Sequence, residues 1–239
     1  MLILLVVVHI FGTRINRSKA KAWIRAHAPV LRSEFAVVGF DGIPHDLSLS
    51  ESEPTSSSLS VAETDALLRQ QSLSEYFSYA TGRVNIAFAD INVTFTKKHN
   101  ILVNAIEQTI GYFMDGYKAP HDMAEVVLYP FDGREALIVP STPGSDDLRA
   151  KDRKSSYDNF VFAIVNKVGM QRLRDSRFDV SLTITKDHAK LPEWATVMSE
   201  NAEITDIVLT PELVNAITMA GPVFEHIIIT DQPSEKPDT

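Results

Sequence analysis

The sequence predicts an α/β (α+β) fold: a single globular domain with a mixed β-sheet and flanking helices, preceded by the end of a transmembrane helix. Three observations carry that expectation. Segments of period 2 and segments of helical period follow one another as strand, helix, hairpin, strand, helix, short helices and strand. With 239 residues, 44% of them hydrophobic, the chain can bury a full-sized core. The opening "MLILLVVVHIFG" is an apolar run that ends in cations.

Met1 to Gly12 is apolar apart from His9. As a helix it would be about 18 Å long, against a hydrocarbon core of about 30 Å, and so too short to span alone. A secretory signal places cations before its apolar run and small residues after it; here the order is reversed. Cations just past a span stay on the cytoplasmic side. The charge order therefore favours the cytosolic end of a membrane helix over residues 1–13, with Leu2, Ile3, Leu4, Leu5, Val6, Val7, Val8, Ile10 and Phe11 as the anchor. On that reading the chain starts inside a span. A buried parallel strand is the alternative, since "LILLVVV" is rich in β-branched residues.

Residues 14–34 read as a basic juxtamembrane helix. Ala20, Trp23, Ile24, His27, Val30 and Leu31 recur at helical spacing, while Arg14, Arg17, Lys19, Lys21 and Arg25 supply charge. The rest, residues 35–232, is expected to be the domain, with 233–239 a polar tail. "FAVVGFDG" predicts a short strand closing on an Asp-Gly turn. Residues 43–74 are serine-rich and acidic, which predicts a mobile loop with a short helix through "AETDALLRQQ". In "YATGRVNIAFADINVTFT" the alternation slips at Ala89–Asp90, predicting a bulge rather than a reversal, since no Gly or Pro marks a turn there. Leu102, Val103, Ile106, Ile110 and Phe113 form one helical stripe, with Gly116 as its stop. Asp132-Gly133 between two apolar runs predicts a β-hairpin. "YDNFVFAIVNK" is apolar on both faces, as a central strand is, and leads to a helix around Met170, Leu173 and Arg174. "FDVSLTIT" reads as an edge strand, and short helices are expected after Pro192. The last helix is capped by Thr210, carries Pro211 in its first turn and ends at Gly221-Pro222; "FEHIIIT" is the final strand.

The charge is −8 with a pI near 5.4, which argues against binding DNA through overall positive charge. Cysteine is absent, excluding disulfides, thiolate zinc sites and a cysteine nucleophile. No phosphate loop, dinucleotide turn or nucleophile elbow occurs. The seven histidines are scattered without metal-ligand spacing. No catalytic, cofactor-binding or metal-binding residue is therefore assigned. Arg149, Lys151, Arg153 and Lys154 form a basic stretch that could touch RNA phosphates or an acidic protein surface. Arg83, Lys97 and Lys98 bracket one strand region and could share a basic edge.

The order of motifs resembles that of the calumin family, coiled-coil-domain membrane proteins of the endoplasmic reticulum that are a PAT complex subunit. The residues that carry the resemblance are "NRSKAKAWIRAHAPVLRSEFAVVGFDG", "YATGRVNIAFADINVTFTKKHNIL", "YDNFVFAIVNK", "LPEWATVMSE" and "FEHIIITDQ", and the form looks fungal. The resemblance implies a single-pass protein of the endoplasmic reticulum membrane whose α/β domain faces the cytosol. It further implies a non-enzymatic helper of multipass membrane protein insertion, working beside the Sec translocon and the ribosome with a small intramembrane chaperone partner and membrane lipids. The family is also linked to calcium through a luminal acidic segment, which this chain lacks, so its own calcium titration is expected to show no binding. The family's last strand and coiled coil are likewise expected beyond the final residue. A membrane-tethered enzyme or lipid-binding protein, with a site assembled from distant residues, is the competing expectation; a deep pocket lined by Asp, His and Ser would favour it.

Overall fold

The computed structural model describes residues 2–42, 61–114, 120–131 and 160–235. Helices and sheets alternate as the predicted class requires, but the sheet is divided. In place of one mixed sheet in one domain, the chain forms two compact units, Met1–Lys151 and Asp152–Thr239. Each has its own sheet, and among the described residues every strand pairing is antiparallel. Periodicity along a strand reports its faces but not its partner, so the division is not visible in the sequence.

The first unit is organised by one long helix, α1 (Leu2–Glu34). The apolar run and the basic segment are thus a single helix, and the strand alternative for "LILLVVV" is set aside. Among the described residues no helix is long and apolar enough to cross a membrane. Gly12, Asn16, Ala20, Ile24 and Ala28 are buried at every fourth position. Such a row lies along one side of a helix, and its small members let the backbone approach the sheet. The expected stripe was turned slightly too far: Trp23 and Leu31 pack at its margin, while Val30 is exposed.

Beneath α1 lie β1 (Val37–Val38), β2 (Arg69–Gln70), β3 (Glu75–Arg83), β4 (Ile86–Thr94) and β5 (Met123–Pro130), in the order β1-β3-β4-β5 with β2 also on β3. Tyr76, Ala80, Ala89, Ile91 and Val93 are buried with Ile24 of α1 and Leu67. Each large member contributes on the order of 1.5–3 kcal/mol by burial. Leu67 ends a short helix, α2 (Val61–Leu67), within the expected 43–74 loop; the helix expected through "AETDALLRQQ" stops there, because Arg69–Gln70 pairs with β3 as β2, and residues 43–60 lie outside the described residues.

The reversal that the sequence reading passed over is a two-residue turn between Arg83 and Ile86. Asn85 adopts φ 66° there, a conformation that asparagine tolerates better than most residues. The bulge exists but falls earlier than expected, between Ile86 and Phe88. After β4 comes α3 (Ile101–Phe113), capped by Asn100. The second strand of the Asp132-Gly133 hairpin, and the Gly116 stop, lie outside the described residues.

The second unit contains β6 (Val161–Asn166), α4 (Met170–Ser176), α5 (Phe178–Ser181), β7 (Ile184–Lys186), β8 (Ala195–Ser199), α6 (Ala202–Val208), α7 (Pro211–Ala220) and β9 (His226–Thr230), with sheet order β7-β8-β6-β9. β6 is central as expected. Phe162 and Ile164 pack on one face with Leu209 and Ile217, while Ala163 and Val165 pack on the other with Val180 and Met198. Two sequence expectations hold only in part here. Only Ile184 and Thr185 of "FDVSLTIT" are strand, in β7, which does lie at the sheet edge; its start turns into α5, where the buried Asp179 carboxylate accepts from Val180 N (2.9 Å) and pairs with Arg177 (2.7 Å). The short helices expected after Pro192 are α6 and α7, but the wholly buried strand β8, "ATVMS", comes before them and was not expected.

Candidate functional site

Of the predicted basic residues of α1, Arg17, Lys19 and Lys21 meet acids of their own unit. Lys21 and Arg17 converge on Asp65, at 2.6 and 3.6 Å. Arg25 donates to Thr64 Oγ1 at 3.2 Å. Lys19 pairs with Asp122 and stands over the Phe95 ring. Asp122 also accepts from Thr96 N and Oγ1, at 3.0 and 3.1 Å. Burial acts to raise the pKa of Asp122, but the bonds from Lys19 and Thr96 prevail and hold its carboxyl below the ordinary value. Arg14 is exposed.

The proposed basic edge does not form. Arg83 pairs with Glu34 at the turn end of the β3–β4 hairpin, whereas Lys97 and Lys98 follow the other end of β4, roughly 30 Å away along the strand. Lys97 takes Glu107 of α3 at 2.7 Å. Arg149, Lys151, Arg153 and Lys154 lie outside the described residues.

Two open grooves flank α1. One, of about 520 Å³, is bordered by Arg17, Lys21, Asp65, Arg69 and Tyr76. The Tyr76 hydroxyl is buried beside it without a hydrogen-bond partner among the described residues, and burial raises its pKa. The other, of about 590 Å³, lies between Val6, Val8 and His9 of α1 and His99, Ile101 and Leu102 at the start of α3. His9 and His99 meet edge to face at 5.7 Å. Burial, and then the neighbouring His9, lower the pKa of His99. Among the described residues no group of three His, Cys, Asp or Glu side chains could hold a metal ion.

α1 is anchored at its apolar-to-basic boundary by two contacts that sequence reasoning missed. A Cβ on Gly12 would lie 2.4 Å from the Lys98 carbonyl, so only glycine allows this approach. One turn on, the Asn16 amide donates to Thr96 O at 3.1 Å and Leu73 O at 3.4 Å. A glycine and an asparagine four residues apart in a helix, where both are poor helix formers, were the available signal. Of the predicted anchor, Val6, Val7, Ile10 and Phe11 are exposed, at 49%, 43%, 45% and 59%. They form an apolar tip just before the first cations.

Comparison with known proteins places this arrangement. The family described as PAT complex subunit CCDC47 matches residues 1–239. An endoplasmic reticulum membrane protein of Schizosaccharomyces pombe is 30% identical over 166 residues, 69% of this chain and 40% of its own length. PAT complex subunit CCDC47 of Danio rerio is 25% identical, and that of Homo sapiens 24%, each over 94% of this chain and 38% of the relative. The chain thus spans about two fifths of the length of these relatives. None of these names is that of an enzyme.

Proposed function

The chain belongs to the PAT complex subunit CCDC47 family, and from that premise we propose that it is a non-enzymatic adaptor of the endoplasmic reticulum membrane that assists insertion of multipass membrane proteins. The apolar tip of α1 sits in the bilayer as the end of a single span, and the two folded units face the cytosol. The carrying observation is α1 itself, in which an exposed apolar tip passes without a break into a helix whose buried row seals the core of the first unit. Such a helix ties a folded body to a membrane at a set distance. The cations past the tip fit the cytosolic side.

The chemistry supports docking more than reaction. The described grooves are open, and the cations along α1 are largely matched by Asp65 and Asp122. Contact with the ribosome and the Sec translocon would then rest on shape, with a small intramembrane chaperone as partner and a salt-sensitive share from cations such as those of residues 149–154. Purified ribosome–translocon complexes from cells expressing the full-length protein test this reading. Recovery of the protein in those fractions is expected, and its absence from every one overturns the assignment.

A further inference from the structure

α3 carries apolar residues on both of its sides, and the outer ones are not covered by any described residue. Leu102, Ile106 and Phe113 share one stripe and are 65%, 58% and 77% exposed. Tyr112 and Met114 at the same end are exposed as well. The side turned inward carries Val103 and Ile110, both half-buried, together with Glu107, whose side chain is 15% exposed and which receives Lys97. No residue of this helix is buried. A helix resting on a soluble core buries its apolar stripe and shows its charges.

A second observation fixes the level at which this stripe stands. Gly12, where the apolar residues of α1 give out, abuts the backbone of Lys98 and His99. The groove between Val6, His9, Ile101 and Leu102 then joins the apolar tip of α1 to the first turn of α3. Lys98 precedes α3 by three residues and, through its contact with Gly12, stands within about one helical turn of the level of Arg14. Apolar side chains on one side of this plane and cations along it match the boundary between acyl chains and phosphate headgroups.

We propose that α3 lies in that boundary of a lipid bilayer, with Leu102, Ile106 and Phe113 in the acyl region and Lys98 toward the phosphates. The inference rests on the membrane attachment proposed above for α1. A bilayer, rather than a second copy of the chain, is the occupant because the apolar surface is continuous with the tip of α1 and edged by cations at one level.

The absence of cysteine makes the test direct. Ile106→Cys, Gln108→Cys and Val7→Cys, each exposed, are labelled singly with an environment-sensitive fluorophore. The chain is then reconstituted into vesicles of phosphatidylcholine and phosphatidylserine, with and without nitroxide-bearing acyl chains. Quenching at positions 7 and 106 but not at 108 is the expected result. Quenching at 7 with 106 still in water overturns the placement of α3 and leaves the α1 attachment standing. Both in water overturns the attachment and this inference together. Quenching at 106 with 7 in water keeps α3 in the boundary but removes α1 as the anchor. A probe at 106 shielded from water yet insensitive to the nitroxide means that protein covers the stripe, which also overturns the proposal.

Discussion

Replacing Gly12 by alanine should lower the stability of the first unit, although alanine is the better helix former. The added Cβ would lie 2.4 Å from the Lys98 carbonyl carbon and oxygen and 2.5 Å from His99 N. Unstrained carbon contacts are about 3.5–4.0 Å. The obstacles are backbone atoms, so α1 and the 98–99 segment must separate. Overpacking of this kind costs about 1–3 kcal/mol. Removing glycine from a helix interior gains about 0.8–1 kcal/mol. The net expectation is a loss of about 0–2 kcal/mol, which at a urea m-value of about 2 kcal/mol/M lowers the midpoint by up to about 1 M. Urea unfolding in detergent micelles, followed by Trp23 fluorescence in a Trp194→Phe background, reads this out. A raised midpoint would refute the reasoning, because helix propensity alone produces it and the close approach would then not exist.

Asn16→Ala removes both bonds from α1 to Leu73 and Thr96 and should cost about 1–3 kcal/mol in the same urea assay. Thr210→Ala should cost about 1 kcal/mol in the second unit, since its hydroxyl caps α7 at Leu213 N; Trp194 fluorescence during unfolding of the wild-type and variant chains measures it. The Asp122 carboxyl has a folded pKa below its ordinary 3.8, so its ionised form adds stability above that value and loses it as pH falls through the lower folded pKa. The gap in urea midpoint between the wild-type chain and Asp122→Asn should therefore be full above pH 3.8 and shrink below it; a gap that is constant with pH would show that Asp122 is not the titrating group.

Local chemistry was readable where one residue type decides the conformation. Thr210, Pro211 and Gly221 marked α7 to within a residue, and the doubly apolar "VFAIV" marked a strand buried on both faces. The apolar start and its cations were also plain. What escaped depends on partners distant in sequence. β8 carries Thr196 and Ser199 among apolar residues and looks like neither an alternating strand nor a sound helix until β6 and β7 are set beside it. The β3–β4 turn uses Asn85 where glycine was sought. For the candidate site, the cations of α1 could be counted but not their acids, since Asp65 and Asp122 are brought to Lys21 and Lys19 only by the fold. The stripe predicted for α3 is divided by the fold, with Leu102, Ile106 and Phe113 exposed and Val103 and Ile110 half-buried, and periodicity alone does not separate the two sets.

α1 has a mechanical consequence. From Leu2 to Ala28, ahead of Pro29, the helix is a rod of about 40 Å whose lower two thirds are bonded into the first unit by Asn16, Ile24 and the Asp65 and Asp122 pairs. A rod clamped along most of its length has no joint at which tip and body can turn independently. Any tilt imposed on the first three turns is passed on undiminished, so that a tilt of about 10° would sweep the far end of the rod by roughly 7 Å. Whatever grips the tip therefore steers the attitude of the whole first unit.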